Sequence, residues 1–215
     1  MPEYDRERIA RLFDSKTKTD IHAGLHESIP EKASRIAFEQ LELKSEDMLL
    51  DVGTGTGDTA IAAAGICRQV IGIDISEKSL EKARQKAFQK KVDNVTFAYG
   101  AFEEPCAGLD LTSYGITKIL AVYSLHHLPD PLKRKSLQIL VNLLQRPGRL
   151  VIGDLMVFED PQEYCEEFDE VYYDGGDFDF PSRVEYLVTC LEQVGAHVHV
   201  EKVHPLVGVL RADFV

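Results

Sequence analysis

A short stretch near residue 50 places the strongest constraint on how this chain folds. The sequence LLDVGTGTGD, residues 49–58, sets three glycines and two threonines directly after an apolar run typical of a buried strand. The segment DTAIAAAGIC begins at its end and predicts a helix of small residues that packs closely on a sheet. Glycines at this density let another molecule approach the backbone, and the start of the helix offers free N–H groups. The stretch therefore predicts a nucleotide-type binding site after the first strand of an α/β fold.

The rest of the chain alternates between strand and helix patterns. Six further strands are predicted, namely QVIGIDIS, NVTFAYG, TKILAVYS, RLVIGDLMV, HVHVEKV and VGVLRADF. Ser76 is expected to cap the charged helix that follows the second strand, and Ser182 with Glu185 forms an apparent capping box for a late helix. The order predicts a Rossmann-like, doubly wound, mainly parallel seven-stranded sheet with an antiparallel carboxyl-terminal strand.

A single domain over residues 1–215 is expected from this length. Within it we distinguish an amino-terminal helical cap (1–46), a core (47–157), an acidic insertion or lid (158–181), and a final helix with a strand pair (182–215).

The charge of the chain is concentrated in its last third. The net charge is −12, and residues 150–215 carry 15 acidic against 3 basic residues, which accounts for all of it. Such a surface repels phosphate backbones, so no nucleic-acid partner is expected. No apolar run approaches the ~20 residues that span a membrane. Four cysteines without CxxC spacing indicate reduced thiols in a cytoplasmic protein.

The glycine spacing bears on which ligand the loop holds. A dinucleotide site has the pattern G-x-G-x-x-G, but here Gly53 and Gly55 are followed by Asp58, and the third glycine comes one place early at Gly57. Acids beside the loop oppose a pyrophosphate and favour a ligand with an ammonium or sulfonium group. Asp74, 21 residues after Gly53, stands where an acid accepts both ribose hydroxyls. We therefore favour a different adenosine ligand over NAD.

At this point a family resemblance becomes specific. The chain resembles the class I S-adenosylmethionine-dependent methyltransferases in six motifs that follow the family's order. These are LLDVGTGTG, VIGIDIS, NVTFAYGAFEE, AVYSLHHLPDP, LLQRPGRLVIGD and YLVTCLEQVGAHV. The resemblance implies S-adenosylmethionine as cofactor, S-adenosylhomocysteine as product, and an unidentified small-molecule or protein acceptor.

The resemblance also implies which residues bind the cofactor. It assigns to the methionine moiety the backbone at Gly53, Thr54, Gly55 and Gly57, in a loop positioned by Asp51. Asp74 is assigned to the ribose, and the adenine is expected to contact Ile75, Ala101 and Phe102. The methionine end is expected to be bordered by Tyr123 and Ser124. Many members carry an acid at the position of Ala101. Here the contact with the adenine amino group passes to the backbone or to Glu103.

Methyl transfer from a sulfonium needs alignment more than acid–base catalysis, and a base only when the acceptor must lose a proton. His126 and His127, directly after the fourth strand, are the candidate catalytic residues. Tyr123, Asp154, Tyr172 and Tyr173 are weaker candidates. No metal site is expected, because His197 and His199 share a strand face without a third ligand. Cys106, in the sequence EEPCAG, stands before the fourth strand and is not expected to act as a nucleophile.

The acceptor is expected to contact the segment 13–28, the His-His turn and the acidic insertion. Acids such as Asp169, Glu170 and Asp174, interleaved with aromatic residues, suit a cationic or amphipathic acceptor. Two alternatives stay open from the sequence: a non-catalytic protein that binds S-adenosylmethionine, and an NAD-dependent oxidoreductase.

Overall fold

The computed structural model describes residues 4–15, 27–105 and 108–215. The helices are α1 (Arg6–Ser15), α2 (Ile29–Gln40), α3 (Asp58–Ala64), α4 (Glu77–Lys90), α5 (Asp130–Leu143), α6 (Phe168–Val171) and α7 (Val184–Gln193). The strands are β1 (Met48–Val52), β2 (Gln69–Asp74), β3 (Val95–Tyr99), β4 (Ile116–Val122), β5 (Leu144–Val157), β6 (Ser182–Arg183), β7 (His197–His204) and β8 (Val207–Phe214). Short 3₁₀ helices span Leu111–Ser113, Leu125–His127 and Pro161–Glu167.

The strands form one sheet in the order β3-β2-β1-β4-β5-β8-β7. The first five strands in this order, from β3 at the edge to β5, run parallel to one another. β8 pairs antiparallel with β5, and β7 pairs antiparallel with β8. The predicted doubly wound, mainly parallel sheet is therefore confirmed. The two-residue strand β6, which pairs with the end of β5, is an addition that the sequence patterns did not predict.

Helices cover both faces of the sheet. On one face Leu137 and Leu140 of α5 pack with Leu187 of α7 in one buried cluster. On the other face Ala37 of α2 and Ala60 of α3 belong to a second cluster, whose small residues bring the helices close to the strands. Every residue of β1 is buried, because a central parallel strand is covered from both sides.

One helix start was predicted wrongly. Ser182 does not cap α7: the cap residue is Arg183, which makes no side-chain hydrogen bond there. The Ser182 hydroxyl donates to Asp130 and accepts from the ammonium of Lys133 at 2.6 Å. Lys133 is fully buried and must have acceptors, so this tertiary contact overrides the local capping pattern. The cap by Ser76 is confirmed, since its hydroxyl accepts from the Ser79 backbone.

The strand order reverses between β1 and β4, and this reversal positions the site. In such sheets ligands bind in the crevice beyond the carboxyl ends of the strands at that point. The glycine loop and the turn Leu125–His127 follow strands at this edge, and Asp74 is the last residue of β2 there. No helix in the part of the chain that the structure describes is long and apolar enough to cross a membrane.

Candidate functional site

The three glycines of the loop all have positive φ, at 76°, 55° and 78° for Gly53, Gly55 and Gly57. A Cβ on Gly53 would lie 2.4 Å from that of Ser124, and a Cβ on Gly57 would meet the ring of Phe97 at 2.7 Å. A Cβ on Gly55 would have no neighbour within 4 Å among the described residues. Gly53 and Gly57 are thus required by packing, whereas Gly55 leaves space beside the backbone for a ligand.

The N–H groups of this loop are largely occupied. Those of Gly53 and Thr54 donate to Ile73, that of Gly57 donates to Thr54, and that of Gly55 donates to the Asp74 carboxylate at 2.8 Å. A phosphate site needs such groups pointing at the anion. The geometry therefore disfavours a pyrophosphate and is compatible with a cationic ligand.

The two acids that flank the loop differ in environment. Asp51 is buried and accepts from the Thr54 hydroxyl at 2.6 Å. Burial raises its pKa to about 6, with the charge of Asp74 adding to the effect. Asp58, which the sequence suggests as an available acid beside the loop, is instead bound by the Lys86 ammonium at 2.7 Å. Of the two, only Asp51 lacks a cationic partner among the described residues.

The end of β2 carries the expected acid. The Asp74 carboxylate accepts from the backbone of Gly55 and of Ser76, each at 2.8 Å, so it ties the glycine loop to the start of α4. Ile75 beside it is half-buried. Asp14 of α1 accepts from the Ser76 hydroxyl at 2.7 Å, which brings the amino-terminal helix over this edge.

The segment after β3 forms a tight turn. Ala101 and Glu104 exchange two backbone hydrogen bonds of 3.0 and 3.2 Å. Ala101 and Phe102 are both buried, and the Phe102 ring packs within the main core cluster. Glu103 accepts from the Tyr4 hydroxyl at 2.9 Å. Ala101 therefore lies buried in the turn that follows β3, and the Phe102 ring is directed into the core.

The end of β4 brings Tyr123 and Ser124 next to the loop. Ser124 donates to the Val52 carbonyl at 3.1 Å. Tyr123 has φ 46°, and its ring lies edge-on to Tyr172 and to His126, with centroids 6.5 and 6.0 Å away. Its hydroxyl is buried without a hydrogen-bond partner among the described residues. Burial, together with the charge of Asp154, raises the pKa of this phenol far above its usual range.

His126 lies between two buried carboxylates. Its Nδ1 contacts Asp154 of β5, and its Nε2 lies 3.4 Å from Asp179 of the acidic insertion. Burial alone would lower its pKa, but the charges and hydrogen bonds of the two aspartates outweigh burial and raise the pKa to about 9. His126 is therefore a buried imidazolium at neutral pH with both ring nitrogens engaged.

The adjacent His127 has the opposite character. Its Nδ1 lies 3.1 Å from Asp179 and 3.2 Å from the Phe178 carbonyl, and its ring packs against Phe13. Burial and the charge of His126 lower its pKa. Its Nε2 contacts no polar group among the described residues. His127 is thus a neutral imidazole with one nitrogen held and the other available.

The carboxylate of Asp179 is also what brings three potential metal ligands together. Ligand atoms of His126, His127 and Asp179 lie within 4.8 Å of one another. Both histidines direct a ring nitrogen at the same Asp179 oxygen, so their N–H groups already satisfy it. We treat this group as a hydrogen-bonded network. His197 and His199 are exposed on β7, away from this network.

Other predicted residues lie at various distances from the site. Asp154 accepts from the backbone N–H of Leu125 at 2.8 Å and so positions the His-His turn. Tyr173 packs on Phe168 within the insertion. Cys106 lies outside the described residues, as do residues 16–26 of the segment 13–28 that is expected to contact the acceptor. Two residues of the site, Asp179 and Lys133, are not identified from the sequence. Nothing in the local sequence distinguishes Asp179 from the other ten acids between Arg149 and Arg183.

Comparison with known proteins identifies the family of this chain. Residues 43–205 match the sequence model of a methyltransferase-domain family, which covers more than half of the chain. The 27-O-demethylrifamycin SV methyltransferase of Amycolatopsis mediterranei is 35% identical over 147 residues, 66% of this chain and 50% of that protein. The uncharacterized methyltransferase YcgJ of Bacillus subtilis is 32% identical over 126 residues, 59% of this chain and 47% of that protein. The chain spans about half the length of these curated relatives.

Solved structures show the same fold. Magnesium protoporphyrin IX methyltransferase from Synechocystis, with bound S-adenosylhomocysteine, superposes with a TM-score of 0.71 at 17% identity, covering 98% of this chain and 100% of that one. The crystal structure of the Bacillus subtilis YcgJ protein gives a TM-score of 0.65 at 23% identity over 80% of this chain and 70% of that one. The chain therefore belongs to the class I S-adenosylmethionine-dependent methyltransferases. This membership favours S-adenosylmethionine over NAD as the cofactor.

Proposed function

We propose that this protein transfers the methyl group of S-adenosylmethionine to a hydroxyl oxygen of a small-molecule acceptor, with His127 as the general base. The observation that carries the proposal is the neutral His127 ring, held at Nδ1 by Asp179 with Nε2 available. A base in this form is needed when the acceptor must lose a proton. The relative from Amycolatopsis mediterranei, whose name describes methylation at an oxygen of a rifamycin, supports the same acceptor class.

The residues of the crevice fit the cofactor. Gly55 has open space beside its backbone, and Asp51 has a carboxylate without a cationic partner among the described residues. Since its pKa is about 6, Asp51 is ionised at neutral pH and suits a ligand that carries ammonium and sulfonium charges. Asp74 would hold the ribose hydroxyls, and Tyr123 and Ser124 would border the methionine end.

The reaction then requires little from the protein beyond alignment. When bound, S-adenosylmethionine would supply an electrophilic methyl group on sulfur, and S-adenosylhomocysteine would be the leaving group. His127 Nε2 takes the acceptor proton as the new O–CH₃ bond forms. Asp179 fixes the ring through Nδ1 and stabilises the imidazolium that results. His126 is already protonated, so its role in the proposal is to anchor Asp154 and Asp179.

The proposal is tested by measuring transfer of labelled methyl to a panel of small hydroxylated acceptors. His127→Gln should lower kcat by roughly 10²–10⁴-fold while calorimetry shows unchanged binding of S-adenosylhomocysteine. His199→Gln, at an exposed histidine of β7, serves as the matched control with wild-type rates. A His127→Gln variant with wild-type kcat would contradict the assigned base. Cofactor binding without transfer to any acceptor would instead favour the non-catalytic alternative.

A further inference from the structure

The hydroxyl of Tyr123, the residue directly after β4, has no hydrogen-bond partner among the described residues, although it is buried. The hydroxyls of Tyr4, Tyr164 and Tyr186, by contrast, each donate to an oxygen of the protein. Leaving a buried hydroxyl unpaired costs free energy that a hydrogen bond would recover. A group of this kind calls for an explanation beyond the packing of the protein itself.

The backbone that carries this hydroxyl is strained. Tyr123 has φ 46°, a left-handed conformation that residues with a side chain rarely adopt. Its N–H donates to the Gly153 carbonyl at 2.9 Å, and the N–H groups of residues 124–126 all donate to the Asp154 carboxylate. The end of β5 thus holds the strained turn in place. Strain that is maintained by surrounding contacts is typical of ligand sites.

The neighbours of the Tyr123 ring lie between the proposed base and the acidic insertion. The ring centroid is 6.0 Å from that of His126, which is in turn 4.0 Å from that of His127. It is also 6.5 Å from the ring of Tyr172, an exposed residue of the insertion. An acceptor with one oxygen at His127 therefore comes within reach of the Tyr123 hydroxyl through a second oxygen several bonds away.

The direction of the ring separates this hydroxyl from the cofactor. The next residue, Ser124, is the one that faces the glycine loop, since a Cβ on Gly53 would lie 2.4 Å from its own Cβ. Tyr123 instead has its ring edge-on to His126 and to Tyr172. Two consecutive side chains after β4 thus face different partners: the loop for Ser124, and the insertion, where the acceptor is expected, for Tyr123.

The chemistry of the hydroxyl indicates what it would bind. Burial, with the charge of Asp154 and the nearby phenol of Tyr172, raises the pKa of Tyr123 far above its usual range, so the group stays protonated. The Asp154 carboxylate is already bound by His126 and by backbone N–H groups. The phenol proton is therefore left for an oxygen that only accepts, such as a carbonyl or an ether oxygen.

We propose that the Tyr123 hydroxyl binds the acceptor, donating a hydrogen bond to a second oxygen of the molecule whose hydroxyl is methylated. This inference rests on the proposed function, because it takes His127 as the base at the methylated oxygen. It narrows the acceptor to small molecules that carry a carbonyl or ether oxygen several bonds from that hydroxyl. Tyr172, exposed and edge-on to Tyr123, is the side chain that has to turn aside to admit this oxygen.

The first test arranges the panel of hydroxylated acceptors as pairs that differ in one oxygen. The pairs are 4-hydroxyacetophenone with 4-ethylphenol, and 4-(methoxymethyl)phenol with 4-propylphenol. Wild-type protein should prefer the member with the second oxygen by about tenfold in kcat/KM, through KM rather than kcat. Tyr123→Phe, which removes only the hydroxyl, should reduce this preference to less than about threefold. Its calorimetric affinity for S-adenosylhomocysteine should stay that of the wild type.

Thermal unfolding separates a binding role of the hydroxyl from a structural one. Tyr123→Phe should melt at the wild-type temperature or above it, because no hydrogen bond within the protein is lost. Tyr186→Phe is the matched control, since the hydroxyl of Tyr186 donates to the Asp130 carbonyl at 2.8 Å. This control should melt below the wild type and keep the full preference between the paired acceptors.

Several results would overturn the inference. One is a full preference retained in Tyr123→Phe, and another is equal wild-type kcat/KM for the two members of each pair. A melting temperature of Tyr123→Phe below that of the wild type would show that the hydroxyl is bound within the protein. Weaker binding of S-adenosylhomocysteine by this variant would assign the hydroxyl to the cofactor. Transfer to no acceptor, by a protein that binds S-adenosylhomocysteine, would instead contradict the proposed function itself.

Discussion

Two adjacent histidines acquire opposite protonation states from their surroundings. His126 contacts Asp154 and Asp179 and is charged, while His127 shares only Asp179 and is kept neutral by burial and by the His126 charge. The pH dependence of folding stability follows from this difference in protonation. Because the folded-state pKa of His126, about 9, lies above the usual value near 6.5, its stabilising charge is fully present below pH 6.5 and is lost as pH rises through 9.

The free energy of unfolding of the wild-type protein should therefore be lower at pH 8 than at pH 6.5, by about 1 kcal/mol. His127 opposes this fall slightly near pH 6.5, and Lys133, whose pKa burial lowers to about 8, opposes it at higher pH. Asp154 and Asp179 have lowered pKa values, and their contributions are lost only in acid. Urea unfolding at the two pH values measures the difference. The same fall in His126→Gln would show that another group causes it.

Among the secondary-structure elements, the glycine loop after β1 and the end of β4 pack against each other. Gly53→Ala places a Cβ against Ser124 at positive φ, whereas Gly55→Ala meets the same backbone penalty with open space around it. We expect Gly53→Ala to cost about 1–3 kcal/mol more than Gly55→Ala. Urea unfolding of both variants measures this.

A second pair of variants identifies the cause of that cost. In a Ser124→Gly background the contact is absent, so Gly53→Ala should cost no more than Gly55→Ala. If the excess cost persists without the Ser124 side chain, the contact between the loop and β4 does not explain it.

The end of the acidic insertion is attached to the core through α5. The buried Lys133 ammonium donates to the Phe180 carbonyl and to the Ser182 hydroxyl. Lys133→Met should leave these acceptors unpaired, destabilise the protein by about 1–3 kcal/mol, and speed amide hydrogen exchange over residues 174–181. Lys135→Met, on the exposed face of the same helix, is the matched control and should leave exchange unchanged. Equal exchange in the two variants would refute the attachment.

Local patterns predict the seven strands other than β6, the glycine loop and the capping of α4 by Ser76, because each depends on residues close together in sequence. The pattern at Ser182 failed, because a buried lysine 49 residues away competes for the same hydroxyl. The contacts of Asp179 with His126 and His127, and of Glu103 with Tyr4, join distant residues. Such contacts follow from tertiary packing. The sequence therefore identifies the two histidines as candidates but does not predict which of them is charged.

Seen across the molecule, the acids of the acidic insertion fall into two groups. Some are bound by other groups of the protein, and others are exposed without an ion pair among the described residues. Glu159 is paired with Lys202 and Glu167 with His204, and Asp174 accepts from backbone N–H groups of its own loop, including that of Phe178. Asp174, which the sequence predicts to contact the acceptor, is thus engaged within its own loop. Of the acids named for a cationic acceptor, Asp169 and Glu170 are exposed and make no ion pair among the described residues, so these two stay candidates for contact with it.

Replacing Asp169 and Glu170 by Asn and Gln should raise KM for a cationic acceptor about three- to tenfold and reduce the dependence of KM on salt. A neutral acceptor of similar shape should show neither effect. Steady-state kinetics at low and high ionic strength provide the measurement. An unchanged KM for the cationic acceptor would show that Asp169 and Glu170 do not contribute to its binding.

The ligand of the crevice around the glycine loop can be measured on the wild-type protein. S-Adenosylhomocysteine, and NAD in the same buffer, are each titrated into the protein in a calorimeter, because the crevice is expected to bind S-adenosylmethionine and its product rather than a dinucleotide. We predict one S-adenosylhomocysteine bound per chain and no detectable heat from NAD at the same concentrations. Binding of NAD, or no binding of S-adenosylhomocysteine, would show that the crevice is not a site for S-adenosylmethionine.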